Sequence, residues 1–189
     1  MDLLSTLLND LFSAGVWEKQ TPQTPVWNKW IHRNLSDNHC PECLMLDGRW
    51  FFREKTPKWP HHTFCHCVLE KIPYSKVLKE CSSNSAYSKF DVYLFNTEGR
   101  YSDNKKVLFE GWGYTINDAK WLQKEIEKQG LENYISGNYT LGKLDYNGQR
   151  ISIRVEIPRK NQKGTVSFIT GWMVYPNGLI RLATPYGGK

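Results

Sequence analysis

The sequence predicts an α+β protein in which a small Cys/His metal-stapled module is followed by helices packed on an antiparallel β-meander. Three observations carry that expectation. Four of the five cysteines and four of the five histidines lie in or beside the window from Cys40 to Cys67. Apolar residues recur at helical spacing around Ala119, Leu122 and Ile126. From Tyr139 onward, alternating apolar and polar residues are broken by Asn147-Gly148 and Pro176-Asn177-Gly178, which read as turns between strands. Runs of helix followed by runs of strand define the α+β class, with one face of the sheet covered.

Taken in order, residues 1–25 read as a helix and a spacer. Leu4, Leu7, Leu8, Leu11 and Phe12 fall on one helical face up to Trp17, and Thr21-Pro22-Gln23-Thr24-Pro25 breaks the helix. No basic segment precedes the apolar run and no small-residue cleavage site follows it, so it does not read as a signal peptide. No stretch is long enough to span a bilayer, so no membrane partner is expected.

Residues 26–74 form the Cys/His module. Cys40-Pro41-Glu42-Cys43 supplies two thiols that converge on one side of a tetrahedral zinc site, and His62 with Cys65 supplies the second pair in H-x-x-C spacing. Cys67 and His66 compete for the fourth position. A disulfide framework fits an odd cysteine count poorly, and the bland alternative is a set of buried, inert thiols. Because the window offers more than four candidate ligands and lacks the carboxylate of H-E-x-x-H or H-x-E with P-C-x-x-C, the expected zinc is structural, and no cofactor is expected for catalysis. Trp27, Trp30, Trp50, Phe51, Phe52, Trp59 and Phe64 supply the bulk that a small stapled module needs.

Residues 75–88 are polar and Ser-rich and read as a linker holding an incidental Cys81. Residues 89–189 then read as a second unit. Asp91 to Phe95 is expected as a strand and Asn96 to Arg100 as a turn, followed by a helix over Asn104 to Glu110. A second helix runs from a capped start at Thr115 to Asp118 through Gln129, stopped by Gly130. Strands are expected at Tyr139–Tyr146, Arg150–Ile157, Thr165–Tyr175 and Leu179–Thr184.

The 189 residues carry a net charge of +6, and from Asn138 onward eight Lys/Arg face only Asp145 and Glu156. The excess therefore lies on the meander. Ile151, Ile153, Val155 and Ile157 point to one side of their strand, leaving Arg150 and Arg154 on the other. With Lys143, Arg181, Thr170, Trp172, Thr184 and Tyr186, that face is expected to offer cations, hydroxyls and a stacking ring to a phosphodiester, with Arg159 and Lys160 in an adjoining basic loop. The expected roles are phosphate and transition-state contacts for Arg150 and Arg154, and proton transfer or phosphate contact for Lys143. Trp172 is expected to stack a base, and Thr184 and Tyr186 to orient the substrate. No histidine follows His66, so proton transfer in this unit would fall to Lys, Arg or Tyr.

Two resemblances extend this reading. Cys40-Pro41-Glu42-Cys43, Leu46-Asp47-Gly48 and Pro60-His61-His62-Thr63-Phe64-Cys65-His66-Cys67 resemble the C-terminal signature of phage Mu F-type minor head (head morphogenesis) proteins. By position, that resemblance implies Cys40, Cys43, His62 and Cys65 as the metal or structural set, with Cys67 the family's second C-terminal cysteine. Tyr93-Leu94-Phe95-Asn96, Tyr139 to Asp145, Gly171 to Gly178 and Arg181 to Tyr186 are similar to toxin-like domains of the barnase, EndoU, colicin and RelE-like superfamily of small RNases. The pair implies a phage- or prophage-associated ribonuclease toxin acting without a catalytic metal. RNA would be its substrate, with an immunity protein and phage capsid or portal proteins as partners, in the bacterial cytoplasm or the virion. The alternative is a non-enzymatic head, minor capsid or nucleic-acid-binding component.

Overall fold

A computed structural model of the chain describes residues 25–33, 40–96 and 103–188. The expected N-terminal helix, its spacer as far as Thr24, and most of the expected turn after Asn96 lie outside these residues. The described chain is a mixed α/β fold in which a Cys/His region precedes a helical segment and an open β-sheet. No described helix is long and apolar enough to cross a membrane.

The first sheet has strands β1 (Trp27–Ile31), β2 (Trp50–Phe52) and β3 (Val68–Ile72) in the antiparallel order β2-β1-β3. Helix α1 (Pro41–Leu46) joins the first two, with Pro41 in its first turn, where a missing N–H costs nothing. Trp27 and Trp30 stand an odd number of residues apart, so they point to opposite faces of β1, and both are fully buried. Trp27 meets Tyr134 at 5.1 Å between ring centroids, while Trp30 meets His61 at 6.4 Å. One face of this small sheet therefore rests on the second half of the chain and the other on the Cys/His loop.

The segment expected as a linker is structured. Tyr74–Glu80 is helix α2, and β4 (Ser82–Asn84) pairs in parallel with Leu179–Arg181 of the last strand. The Ser-rich composition misleads because an edge strand needs backbone pairing more than apolar side chains. Cys81 is buried between α2 and the sheet, 2.8 Å from where a Cβ on Gly178 would stand, and burial pushes its thiol up to about 12. Asp91–Asn96, expected as a strand, is a π-helical turn that buries Leu94 and Phe95.

Helices α3 (Asp103–Gly111) and α4 (Ala119–Ile135) precede β5 (Thr140–Asp145), β6 (Gly148–Pro158), β7 (Thr165–Val174) and β8 (Leu179–Gly188). The five-stranded sheet has the order β4-β8-β7-β6-β5, antiparallel apart from β4. The two-residue loop between β5 and β6 is Tyr146-Asn147, one residue earlier than expected, because Asp145 pairs with Gly148. Thr115 and Asp118 form a capping box ahead of α4, which buries Ala119, Leu122, Ile126, Gly130 and Tyr134 against the sheet.

Gly130 does not end α4. It sits inside the helix because a Cβ there would lie 2.3 Å from Cζ2 of Trp172, whose indole is buried beneath it. Alanine at 130 gains about 1 kcal/mol of helix propensity. It forces a close-packed ring to move, which costs about 1–3 kcal/mol. Gly130→Ala is therefore expected to lower the denaturant midpoint at unchanged slope.

The two halves meet through specific backbone contacts. Tyr134 donates its hydroxyl to Trp50 O at 2.5 Å, Tyr139 accepts from Phe52 N at 3.1 Å, and buried Arg49 donates from Nε to Val174 O at 2.7 Å. Leu46-Asp47-Gly48, quoted above for its resemblance, and the turn Pro176-Asn177-Gly178 dock on each other. Asn177 N bonds Gly48 O at 3.0 Å, and a Cβ on Gly48 would stand 3.1 Å from that of Pro176.

Candidate functional site

The Cys/His cluster is assembled by α1 and the loop before β3. Cys40 and Cys43 lie one helical turn apart, with Leu44 N bonded to Cys40 O at 3.1 Å, so their thiols share a face. The atoms of Cys40, Cys43 and His62 lie within 4.8 Å of one another, as do those of Cys43, Cys65 and Cys67. Cys43, fully buried, belongs to both groups. Zinc–sulfur bonds of about 2.3 Å give a tetrahedral S···S edge of about 3.8 Å and an S···N edge of about 3.5 Å. Cys43 Sγ stands 3.8 Å from Cys65 Sγ and 3.4 Å from His62 Nε2.

His62 is oriented for this role. Its Nδ1 lies 2.7 Å from Thr63 O, and a carbonyl only accepts, so Nδ1 carries the proton and the Nε2 lone pair faces Cys43. Cys67 instead has His32 Nδ1 at 3.5 Å and lies beside the Trp30 side chain. His61 Nε2 pairs with Glu42 Oε2 at 2.5 Å. His66 joins neither ligand group. Burial, then hydrogen bonds from Cys67, Cys40 and Cys65, push the Cys43 thiol far up. Burial also acts to raise Cys65, but backbone hydrogen bonds at His61 and Cys67 and the Cys67 and Cys43 thiols together bring it down to about 7. Packed thiols cannot all ionise without a cation among them, and a divalent ion removes that penalty.

The second arrangement is the open face of the five-stranded sheet. Directly paired residues of antiparallel strands share a face. Thr140 pairs with Ser152, Ser152 with Gly171 and Gly171 with Thr184, so one row crosses four strands. Three of its members carry hydroxyls. Gly171 forms its floor, where a Cβ would press within 2.9 Å of Thr184 Cγ2. On one side lies the row Arg154, Ile169, Gly188, and on the other Arg150, Met173, Arg181. Each flanking row is about 7 Å away along the strands. A cavity of about 340 Å³ opens over Thr140, Ser152, Arg154 and Ile169, and Lys55 of the Cys/His module forms part of its rim.

The predicted residues distribute unequally around this trough. Arg150 and Arg154 are exposed on it, as expected. Arg150 Nε donates to Asp145 Oδ2 at 2.9 Å, and Arg154 Nη1 donates to Ser167 Oγ at 3.2 Å. The Asn147 backbone N–H, with Arg150, holds the Asp145 carboxyl below its usual range. Arg181 lies 4.7 Å from the Tyr175 ring centroid. Lys143 is exposed in a bulge between Leu141 and Leu144.

Four expectations are corrected. Trp172 is 1% exposed and donates Nε1 to Thr170 Oγ1 at 2.8 Å, so it is a core residue and not a base-stacking platform. Thr170 and Trp172 pair with Ile153 and Ile151, which places them on the helix side. Tyr186 also turns inward, its ring 5.9 Å from Phe168 and 6.3 Å from Trp112, because register breaks between Gly171 and Ile169 carry Pro185 to Gly187 out of alternation. Lys160 lies elsewhere, paired to Asp118 at 2.7 Å in a separate cleft with Tyr114, Trp121 and Pro158. Arg159 is in the same loop, its N bonded to Gly164 O at 2.9 Å.

Thr140, Ser152, Gly171 and Lys55 were not singled out by sequence. Counting outward from an Asn147-Gly148 loop puts Ser152 opposite Lys143, and it reaches Thr140 only once both the earlier loop and the bulge in β5 are allowed for; nothing in the sequence places Lys55 near the sheet.

These features define an α+β protein with a Cys/His metal-binding-like module packed against an open sheet. Residues 83–189 match the family described as Domain of unknown function (DUF6883), and the chain belongs to that family. No curated protein and no solved structure matches the chain.

Proposed function

We propose that the protein is a phage- or prophage-associated endoribonuclease toxin. Its sheet trough cleaves RNA without a catalytic metal, and its Cys/His module is stapled by one structural zinc. The observation that carries the reading is the hydroxyl row Thr140–Ser152–Gly171–Thr184 set between the arginines of two neighbouring rows. A phosphodiester laid over Gly171 meets the hydroxyls of Thr140 and Ser152, with Thr184 Oγ1 beyond it already donating to Tyr186 O, and has Arg154 on one side and Arg150 and Arg181 on the other. Guanidinium forks match phosphate oxygens and stay charged as the transition state gathers negative charge. The in-line attack of a 2′-hydroxyl needs orientation and charge stabilisation more than it needs a metal. The resemblances to small RNases and to Mu F-type head proteins support the same reading.

For the zinc, Cys40, Cys43, Cys65 and His62 are the ligand set, with Cys67 beside Cys43 and Cys65 as a neighbouring thiol that also meets His32. A closed four-ligand site holds a fold together and leaves no position for water. Lys55 ties this module to the trough by reaching its rim.

The test uses the whole chain, because β4 and the Trp27–Tyr134 contact make the sheet dependent on residues before Ser88. Incubation with end-labelled single-stranded RNA is expected to give cleavage at a rate indifferent to added Mg²⁺. Retention of intact RNA by the folded protein supports the non-enzymatic alternative, a nucleic-acid-binding head component. Binding itself is expected to weaken with salt, and Arg154→Ala reduces the slope of log K against log[salt] by about 0.7, the loss of one phosphate contact.

A further inference from the structure

Trp172, the ring expected to stack a base, lies in the core, but an indole placed for that task stands in the first turn of α4. Trp121 is 43% exposed, although Ala119 and Leu122 beside it are buried. Its ring lies nearly parallel to that of buried Tyr114, with centroids 5.6 Å apart and 15° between planes. Tyr114 is fixed in turn by its hydroxyl, which donates to Pro158 O at 2.5 Å. These three residues line a cleft of about 350 Å³ whose polar corner is Lys160 with Asp118. Lys160 Nζ donates to Asp118 Oδ1 at 2.7 Å and stands 5.8 Å from the Tyr114 ring centroid. Asp118 is itself held in place, because its Oδ2 accepts from Thr115 N at 2.9 Å. The ammonium is therefore anchored at the cleft while keeping two further N–H donors.

The cleft is continuous with the trough. Pro158 ends β6, the strand that carries Arg154, and four residues at about 3.3 Å each put the two about 13 Å apart. Arg154 leans toward the cleft end, since the Ser167 to which it donates is the partner of Glu156. Beyond Ser152, where β5 stops pairing, α4 takes over the edge of β6: Gln129 accepts from Glu156 N at 2.8 Å and donates to Glu156 O at 2.7 Å. The elements that border the trough thus lead to Trp121. Glu156 faces out between the two places and repels a phosphate, so a strand would be gripped at the two ends of this path.

We propose that the cleft of Tyr114, Trp121, Pro158 and Lys160 is a base subsite for the RNA strand whose phosphodiester lies in the trough. A nucleobase stacks on the exposed indole, and Lys160 donates to an acceptor on its edge. The proposal rests on the reading of the trough as the RNA site. Every base has a π-face, so the subsite adds affinity without choosing sequence. It touches no reacting bond, so it acts on KM and leaves kcat alone.

The test uses the full chain and a DNA strand holding one ribonucleotide, in versions with a single abasic residue at successive positions on either side of it. Trp121→Ala is expected to lose about 5- to 150-fold in kcat/KM on the intact strand, the usual worth of one stacked base, with kcat unchanged. The wild type should show the same loss when the abasic residue falls at one particular position, and there Trp121→Ala should lose nothing further. Trp121→Phe, which keeps a ring against Tyr114, should recover most of the loss. Losses that multiply at every position, or a Trp121→Ala chain as efficient as the wild type on the intact strand, would overturn the subsite and leave the ribonuclease reading intact. A wild-type chain that cleaves no strand overturns that reading instead. The series is then scored by affinity, where coupling at one position upholds the subsite and its absence removes it.

Discussion

Replacing Cys43 by serine is expected to remove the metal and unfold the first module. Cys43, on the inner face of α1, is the thiol common to both ligand groups and is fully buried, so its loss removes a ligand from each group at once. Bound structural zinc supplies roughly 10–16 kcal/mol of apparent binding free energy in small modules, which hold no fold without it. The consequence reaches further here than in an isolated module. Trp27 packs on Tyr134, and a Cβ on Gly137 would stand 2.6 Å from the Phe52 ring, so loss of the first sheet uncovers the end of α4. Metal analysis should give one zinc per wild-type chain and none for Cys43→Ser. Tryptophan emission should shift to the red as Trp27, Trp30 and Trp50 enter water, and strong chelation of the wild type should reproduce that shift. Cys67→Ser keeps its zinc in this account, because Cys40, Cys43, Cys65 and His62 complete a four-ligand set without it. A Cys43→Ser chain that retained metal and native emission would remove the structural role.

The second large effect is expected from the trough. Alanine at Arg150 and Arg154 together takes a guanidinium from each flanking row while leaving the core untouched, since both side chains are exposed and their neighbours Ile151, Ile153 and Val155 are buried. Single donors to a developing oxyanion are worth about 10²–10³ in rate. The double variant should therefore lose at least about 10³-fold in kcat/KM, with the two losses not strictly additive because they act on one phosphate. Its circular dichroism and denaturation midpoint should match the wild type, since exposed ion pairs such as Arg150–Asp145 contribute little. Full activity in the double variant would sink the assignment of the trough.

How far the sequence carried this account depends on which force shaped each element. Strand β6 was legible because Ile151, Ile153, Val155 and Ile157 must be dry while Arg150 and Arg154 must be wet, and period two follows from that demand. The Cys/His ligands were legible because metal chemistry restricts residue type and spacing, and the structure brings Cys40, Cys43 and His62 together. Trp172 was misread because a single tryptophan among strand residues does not announce its face. Only the registry with Ile151 and the gap left by Gly130 place it inside. The trough itself was half hidden, since Thr184 reaches it through the extra residue Ala183, and bulges leave no trace in alternation.

The central claim is that the trough performs transesterification on RNA, and one oligonucleotide tests it directly. A DNA strand containing a single ribonucleotide, incubated with the full chain in the absence of Mg²⁺, offers one 2′-hydroxyl. The account predicts a single cut 3′ to that ribonucleotide, ending in a 2′,3′-cyclic phosphate, and none in the all-deoxy strand. Cutting of the all-deoxy strand, or a cut that left a free 3′-hydroxyl, would contradict it.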